Sequence, residues 1–269
     1  MPKPNIFAGT TALVTGASSG LGEEFARELA RRGANLVLTA RSQDRLDRLA
    51  QDLSRINGVQ VTCISLDLAA ADGALELGRL LRERGLVIDH LINNAGFGTS
   101  GHFENTDAER EARMVRVNSE SVVVLCRSLV RSMLERQRGG IMNVASTSAH
   151  QPTPFMATYG ASKAFVLSFT LALAEELRGK GVRVMALCPG PVLTGFQAVA
   201  NIPPTAVLGL AKLDAHTVIE QALDAYARGE VLHTPGLVNG VQTFASKILP
   251  RPIVVRAARY AMLKLGRIT

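Results

Sequence analysis

Short apolar runs alternate with amphipathic helical stretches along most of this chain, and that alternation constrains the fold more than any other feature. Residues 11–15, 35–39, 59–66, 86–93, 141–145 and 182–187 read as strands. Between and after them, 23–32, 43–56, 69–84, 107–137, 159–178 and 214–228 carry helical periodicity. The strands are almost continuously apolar, as strands covered on both faces must be. Strand–helix–strand repetition predicts an α/β fold with a parallel sheet between two helical layers and right-handed crossovers. No linker, repeat or low-complexity stretch breaks residues 1–269, which predicts a single domain. The exception to regularity is 190–212, rich in Pro and Gly and suited to a substrate loop or lid.

Composition narrows the function classes. Three widely spaced cysteines, Cys63, Cys126 and Cys188, form no Cys-x-x-Cys or Cys/His cluster. A disulfide framework and a structural metal site are therefore not expected, and a reducing, cytoplasmic setting is. The N-terminal residues lack a signal-peptide pattern, and no uncharged apolar stretch is long enough to span a bilayer as a helix. Net charge is +7, but Lys247, Arg251, Arg256, Arg259, Lys264 and Arg267 lie in 231–269, a stretch without Asp or Glu. The remainder is near neutral, so the charge is no argument for nucleic-acid binding.

The first strand runs directly into Gly16-Ala-Ser18-Ser19-Gly20-Leu21-Gly22, followed by a helix. Glycines let a backbone turn sharply and approach a phosphate, and the helix N-terminus adds free N–H groups and partial positive charge. A dinucleotide pyrophosphate is expected there. The second strand ends in Thr39-Ala40-Arg41-Ser42, with no acid to hold a ribose 2′-hydroxyl. The forked guanidinium of Arg41 suits a 2′-phosphate, so NADP(H) is preferred and NAD(H) is the alternative.

Tyr159 and Lys163 are four residues apart at the start of a helical pattern, hence on one face. A phenol near pKa ~10 carries protons poorly at neutral pH, and moving it to neutrality takes roughly 4 kcal/mol. A nearby ammonium with a second positive charge in a dry cleft could supply that, so Lys163 is expected to lower the Tyr159 pKa. Asn118 sits mid-helix against its propensity, which suggests a kink or a functional placement.

Together these residues resemble the classical short-chain dehydrogenase/reductase family, in order and spacing, from about Thr11 to Thr194. Thr15, Gly16, Ser18, Ser19, Gly20, Leu21 and Gly22 resemble its cofactor turn. Asp67-Leu68 is similar to the pair that meets the adenine. Asn93-Asn94-Ala95-Gly96 is similar to the segment that steadies the central strand and flanks the cofactor. Pro189-Gly190-Pro191-Val192-Leu193-Thr194 resembles the segment that holds the nicotinamide carboxamide. Asn118, Ser146, Tyr159 and Lys163 fall where the family keeps its catalytic set, with Ser146 thirteen residues before Tyr159.

The resemblance implies a Rossmann-type doubly wound sheet and hydride transfer between the nicotinamide and a carbonyl or secondary alcohol. It also implies that Tyr159 is the proton donor, that Ser146 hydrogen-bonds the reacting oxygen, and that Lys163 touches the nicotinamide ribose. Asn118 would hold a relay water, and a homodimer or homotetramer would form through the two long helices. A non-catalytic NADP(H)-binding sensor or scaffold is the competing reading, and the complete catalytic set argues against it.

The substrate is expected to be a hydrophobic carbonyl or alcohol, a lipid-like or acyl compound and a small xenobiotic carbonyl fitting equally, because Val192, Phe196, Val199, Ile202 and Val207 are apolar. The extension from about 236 to 269 mixes apolar and basic residues. It reads either as helix packed on its own chain or as a segment touching an anionic membrane. Pro250 and Pro252 interrupt any long helix and favour the packed reading.

Overall fold

A computed structural model describes residues 5–200, 202 and 213–264, together with the side chains of all of these except Lys247. Seven parallel strands form one sheet: β1 (Thr11–Thr15), β2 (Asn35–Ala40), β3 (Val61–Ser65), β4 (His90–Asn93), β5 (Gly140–Val144), β6 (Arg183–Leu187) and β7 (Leu232–His233). Their order is β3-β2-β1-β4-β5-β6-β7. The order reverses between β1 and β4, and in doubly wound sheets ligands bind at that switch point, outside the carboxyl ends of the strands.

The pleat divides the core. Ala12 and Val14 of β1 point to one face and pack with Phe25 and Leu29 of α1 (Gly20–Arg31) and Leu223 of α8 (Ala215–Ala227). Leu13 points the other way, into a cluster with Leu77 of α3 (Gly73–Glu83), Leu125 of α5 (Ser121–Glu135) and Val166 of α6 (Ala157–Glu176). This period-2 division is the physical reason the strands are apolar throughout. Helix α2 (Gln43–Asn57) completes the first layer, and Gly58 ends it in the left-handed conformation at φ 68°.

Four elements differ from the sequence reading, the first being the strand expected over 86–93, which is formed only at His90–Asn93. The helix expected over 107–137 is broken into α4 (Ala108–Val115), a π turn (Arg116–Glu120) and α5. It starts where expected, with Asp107 accepting from the Glu109 N–H at 2.9 Å. The helix expected from residue 69 begins only at Gly73, because Asp67-Leu68-Ala69 first closes a turn. Strand β7 has two residues, too few to leave a pattern, and pairs Leu232 with Ala186.

Helix α6 is long and apolar enough to cross a membrane by length and composition alone. It nevertheless packs on the sheet through Tyr159, Lys163, Val166 and Thr170. Beyond a short α7 (Phe196–Val199), the basic extension forms α9 (Leu237–Ile248) and α10 (Arg251–Lys264), separated at Leu249-Pro250. Val207 and Arg267, singled out above, and residues 201 and 203–212 of the expected substrate loop lie outside the described residues.

Candidate active site

A cleft of about 510 Å³ opens at the switch point, a volume in the ligand-site range. Its first wall is the turn after β1. Gly16 and Gly20 have φ of 68° and 58°, a region that penalises a Cβ. At Gly16 a Cβ would come within 2.9 Å of Ala95 Cα, and at Gly20 within 3.3 Å of Thr194 Cβ. At Gly22 it would collide with the Gly16 carbonyl and approach Asn94 Nδ2 to 2.5 Å. The glycines are thus imposed by packing around the turn. Ser19 is the N-cap of α1 and makes no side-chain cap bond, so first-turn N–H groups are left for an anion.

The turn is pinned by residues the motif brings from afar. Thr15 Oγ1 accepts from the Asn94 N–H (3.0 Å) and the Ala95 N–H (2.9 Å), while Asn94 Nδ2 donates to the Thr15 carbonyl at 2.9 Å. Thr15 and Gly22 therefore stand behind the cleft as supports. Gly16, Ser18, Ser19, Gly20 and Leu21 line it, as do Asn94, Ala95 and Gly96.

Arg41 lies on the rim where β2 ends, with Ser42 and Arg45 beside it. Asp67 and Leu68 line the same end. Burial opposes the Asp67 charge, but the Ala69 N–H and the Arg113 guanidinium, 2.7 Å away, outweigh it and hold the carboxyl below its usual range. Arg45, Arg110 and Arg113 also face the cleft. Sequence reasoning passed over them because each lies inside a helix with no local motif.

On the opposite side, Pro189 and Thr194 line the cleft, whereas Gly190 and Val192 lie behind it. Val192 is buried in the core, and Gly190 leaves room for Asn239, whose atoms would be 2.5 Å from a Cβ. Gln197 clips the segment, donating to the Val192 carbonyl at 2.6 Å and accepting from the Thr194 N–H at 3.1 Å. That role was not legible beforehand.

Tyr159 and Lys163 line the end of the cleft, whereas Ser146 is buried and does not line it. Ser146 follows β5, and its Oγ accepts from the Ser148 N–H at 3.1 Å, which leaves the hydroxyl proton free to donate. Lys163 Nζ donates to the Val144 carbonyl at 2.8 Å and stands 6.0 Å from the centre of the Tyr159 ring. A Cβ at Gly96 would crowd Asn118 Oδ1 (3.1 Å) and that ammonium (3.2 Å).

The expectation that Lys163 lowers the Tyr159 pKa is not met in this structure. Burial dominates both groups. It pushes the phenol up to about 12, with a hydrogen bond from Ser146 pulling the other way, and pushes Lys163 down to about 8. The amine is directed at the Val144 carbonyl and not at the phenol oxygen, so desolvation outweighs the Coulomb attraction.

Asn118 occupies the π turn, a feature that often marks functional sites. Its Oδ1 accepts from the Phe97 N–H (3.1 Å), and its Nδ2 donates to the Phe97 carbonyl (3.0 Å) and to Ser162 Oγ (3.0 Å). Ser162 in turn donates to the Tyr159 carbonyl at 2.7 Å. The side chain is therefore spent on fixing the loop after β4 and the first turn of α6. A relay water is left its main chain or the second lone pair of Oδ1.

An apolar wall completes the site. Met114, Met156, Tyr159, Ala200, Ile202 and Met262 form one buried cluster, flanked by Phe97, Phe155 and Phe196. Phe196 packs on the Tyr159 ring at 5.4 Å. Phe155 adopts φ 64°, rare for an aromatic residue, and is held by the Gly101 N–H and the edge of His102.

A sequence model of the short chain dehydrogenase family matches residues 10–203. An uncharacterized oxidoreductase of Myxococcus xanthus is 33% identical over 249 residues, 93% of this chain and 96% of that protein. The very-long-chain 3-oxoacyl-CoA reductase of Anas platyrhynchos is 34% identical over 197 residues, 72% of this chain but 63% of that longer protein. Among solved structures, a short-chain dehydrogenase from Sphingobium yanoikuyae in complex with NADPH superposes with a TM-score of 0.79. It is 32% identical, with 90% of this chain and 97% of that one covered. The family match spans both the glycine turn and the Ser146–Tyr159–Lys163 cluster, and the chain belongs to the short-chain dehydrogenase family of oxidoreductases.

Proposed function

We propose that the protein is an NADP(H)-dependent reductase or dehydrogenase acting on a carbonyl or secondary alcohol of an apolar substrate. The observation that carries this reading is the convergence of Tyr159 and Lys163 with the glycine turn on one cleft. A dinucleotide fits the residues present: a glycine cradle that a Cβ would fill, uncapped N–H groups at α1, and an arginine in place of an acid after β2. Gly16, Ser18 to Leu21, Arg41, Asp67, Gly96 and Thr194 would hold it. The bound nicotinamide supplies or accepts the hydride. NADPH in the Sphingobium relative supports the choice of cofactor, and a fatty-acyl substrate in the Anas relative supports an apolar one.

The chain's own contribution is proton handling and positioning. Tyr159 stays a neutral phenol across the physiological range, so it is an acid ready to protonate the oxygen that develops charge during reduction. Ser146, fixed from behind by Ser148, donates its hydroxyl proton to the same oxygen. The tyrosinate left after transfer is the better neighbour for the Lys163 cation, which restrains it for reprotonation. Oxidation reverses these steps. Phe97, Met156 and Phe196 exclude water and bind the apolar part of the substrate. A homo-oligomer joined through α5 and α6 belongs to the same reading. Support comes from α6, apolar on its outer side too, where exposed Phe165 stacks on Phe169 at 6.2 Å.

Tyr159→Phe tests the assignment. The variant should bind NADPH as the parent does and lose roughly 10²–10⁴-fold in turnover across a ketone panel. Near-parental reduction by that variant would refute the assignment.

A further inference from the structure

Helix α9 is turned inside out. Leu237, Val241, Phe244 and Ile248 follow i, i+4, i+7, i+11 spacing and form one stripe. They are 91%, 69%, 65% and 66% exposed. Asn239, Thr243 and Ser246 turn toward the protein instead, while Gln242 is exposed. Thr243 is buried, Ser246 Oγ donates to the Thr243 carbonyl at 2.8 Å and toward His150, and Asn239 Nδ2 donates to the Pro235 carbonyl at 2.7 Å. A surface helix in water has the opposite arrangement. Leu237, Val241 and Phe244 also border an apolar groove of about 600 Å³ beside His233 and Gly236.

Helix α10 continues the surface with a different chemistry. Ile253, Arg256, Tyr260 and Lys264 form a second stripe that alternates apolar and basic residues, all exposed. Lys264 Nζ lies 5.8 Å over the Tyr260 ring. Arg251 and Arg259 are exposed nearby. The break at Pro250 makes two short helices of one, and the apolar stripe of α9 is left uncovered by the described residues.

We infer that α9 and α10 form a docking surface for an anionic lipid bilayer. Charge selects this occupant. No Asp or Glu occurs between Val231 and Thr269, against six Lys and Arg. A second copy placed face to face would set two such basic surfaces against each other, an arrangement that repels. An acyl boundary beneath anionic headgroups satisfies both features, with the apolar stripe entering the boundary and the arginines pairing with phosphates. The inner side of α10 reaches the active site, since Met262 is buried in the cluster that contains Tyr159. Docking would then bring the apolar substrate side of the cleft close to a store of apolar molecules. That consequence rests on the function proposed above, whereas the docking does not.

The test is co-sedimentation of the full chain with phosphatidylcholine vesicles, with and without phosphatidylserine, at low and high salt. Binding is expected with phosphatidylserine only and is weakened by salt. Phe244→Glu with Ile248→Glu should lower it roughly tenfold or more, and Arg256→Gln with Arg259→Gln by a similar factor. Both double variants should reduce a water-soluble ketone at the parental rate. If the glutamate pair fails to fold by circular dichroism, the arginine pair and the lipid and salt dependence of the parent still decide. Three results would overturn the proposal: no phosphatidylserine-dependent binding, variants that bind like the parent, or sedimentation showing that the same substitutions split a lipid-free dimer. The last would assign the stripe to a second copy.

Discussion

Tyr159 and Lys163 are both driven toward their neutral forms by the same burial, and this sets which direction of chemistry the unliganded chain is ready for. A phenol held up to about 12 is a donor, and an amine brought down to about 8 is only partly charged in mildly alkaline solution. Neither value follows from the Tyr-x-x-x-Lys spacing, because spacing reports proximity while desolvation depends on what covers the pair. The cofactor end obeys a simpler rule. Arg41 stands on the rim where β2 ends, with Arg45 one turn into α2. Arg41→Ala should raise the Kd for NADPH roughly 10–100-fold, the loss of one charge-assisted contact, and leave NADH within about twofold. Fluorescence titration with both nucleotides checks this, and equal losses would reject the 2′-phosphate assignment. Arg41 was legible because it sits at a fixed place after a strand. Arg45, Arg110 and Arg113 were not, because helices carry them to the cleft from positions with no motif of their own.

Elements decide how well these side chains are held. The stretch 107–137 has helical periodicity throughout, and one long helix was the natural expectation. The π turn at Arg116–Glu120 inserts an extra residue without disturbing the apolar pattern on either side, so periodicity could not reveal it. Only the poor helix propensity of Asn118 hinted at it. The glycine turn is expected to admit a phosphate, and the structure adds a packing reason for its glycines. Gly22 lies against the Gly16 carbonyl and Asn94, the bracket that joins β1 to β4. Gly22→Ala should therefore force the turn apart and cost about 1–3 kcal/mol. At roughly 2–4 °C per kcal/mol for a chain of this size, Tm should fall by several degrees, with NADPH binding lost in parallel. Gly240→Ala in α9 is the contrast. No atom lies within 4 Å of its would-be Cβ and its φ is not positive, so it should be neutral or stabilising by up to ~1 kcal/mol. Calorimetry on both variants separates packing from a general intolerance of glycine replacement.

At the scale of the whole molecule, the parallel sheet and its two-sided core followed from alternation and apolar strands, because a parallel sheet can be covered in few ways. What alternation could not supply is the long-range polar contact that ties the layers together. At the end of the sheet away from the cleft, His90 opens β4 and is buried between Phe7, 5.1 Å away, and Tyr226 of α8, 5.7 Å away. Its Nδ1 is 3.0 Å from the Tyr226 hydroxyl, and Gly140 of β5 has no room for a Cβ beside that hydroxyl. Three segments distant in sequence converge on this ring. Burial pushes His90 down to about 4 from 6.5; neighbouring Asp89 opposes the shift, and Arg183 and Arg138 favour it. A depressed folded-state pKa means that the unfolded chain binds the proton first as pH falls. His90 should thus contribute its full stability above about pH 6.5 and lose it progressively down to about pH 4, at most roughly 3 kcal/mol. His90→Asn keeps a polar partner for Tyr226 but cannot titrate. Urea unfolding of both proteins from pH 7 to pH 4 should show the parent losing more stability than the variant, with the difference confined to that window. A constant offset between the two curves would mean that His90 acts by packing alone, and that the acid sensitivity of this fold resides in its carboxylates.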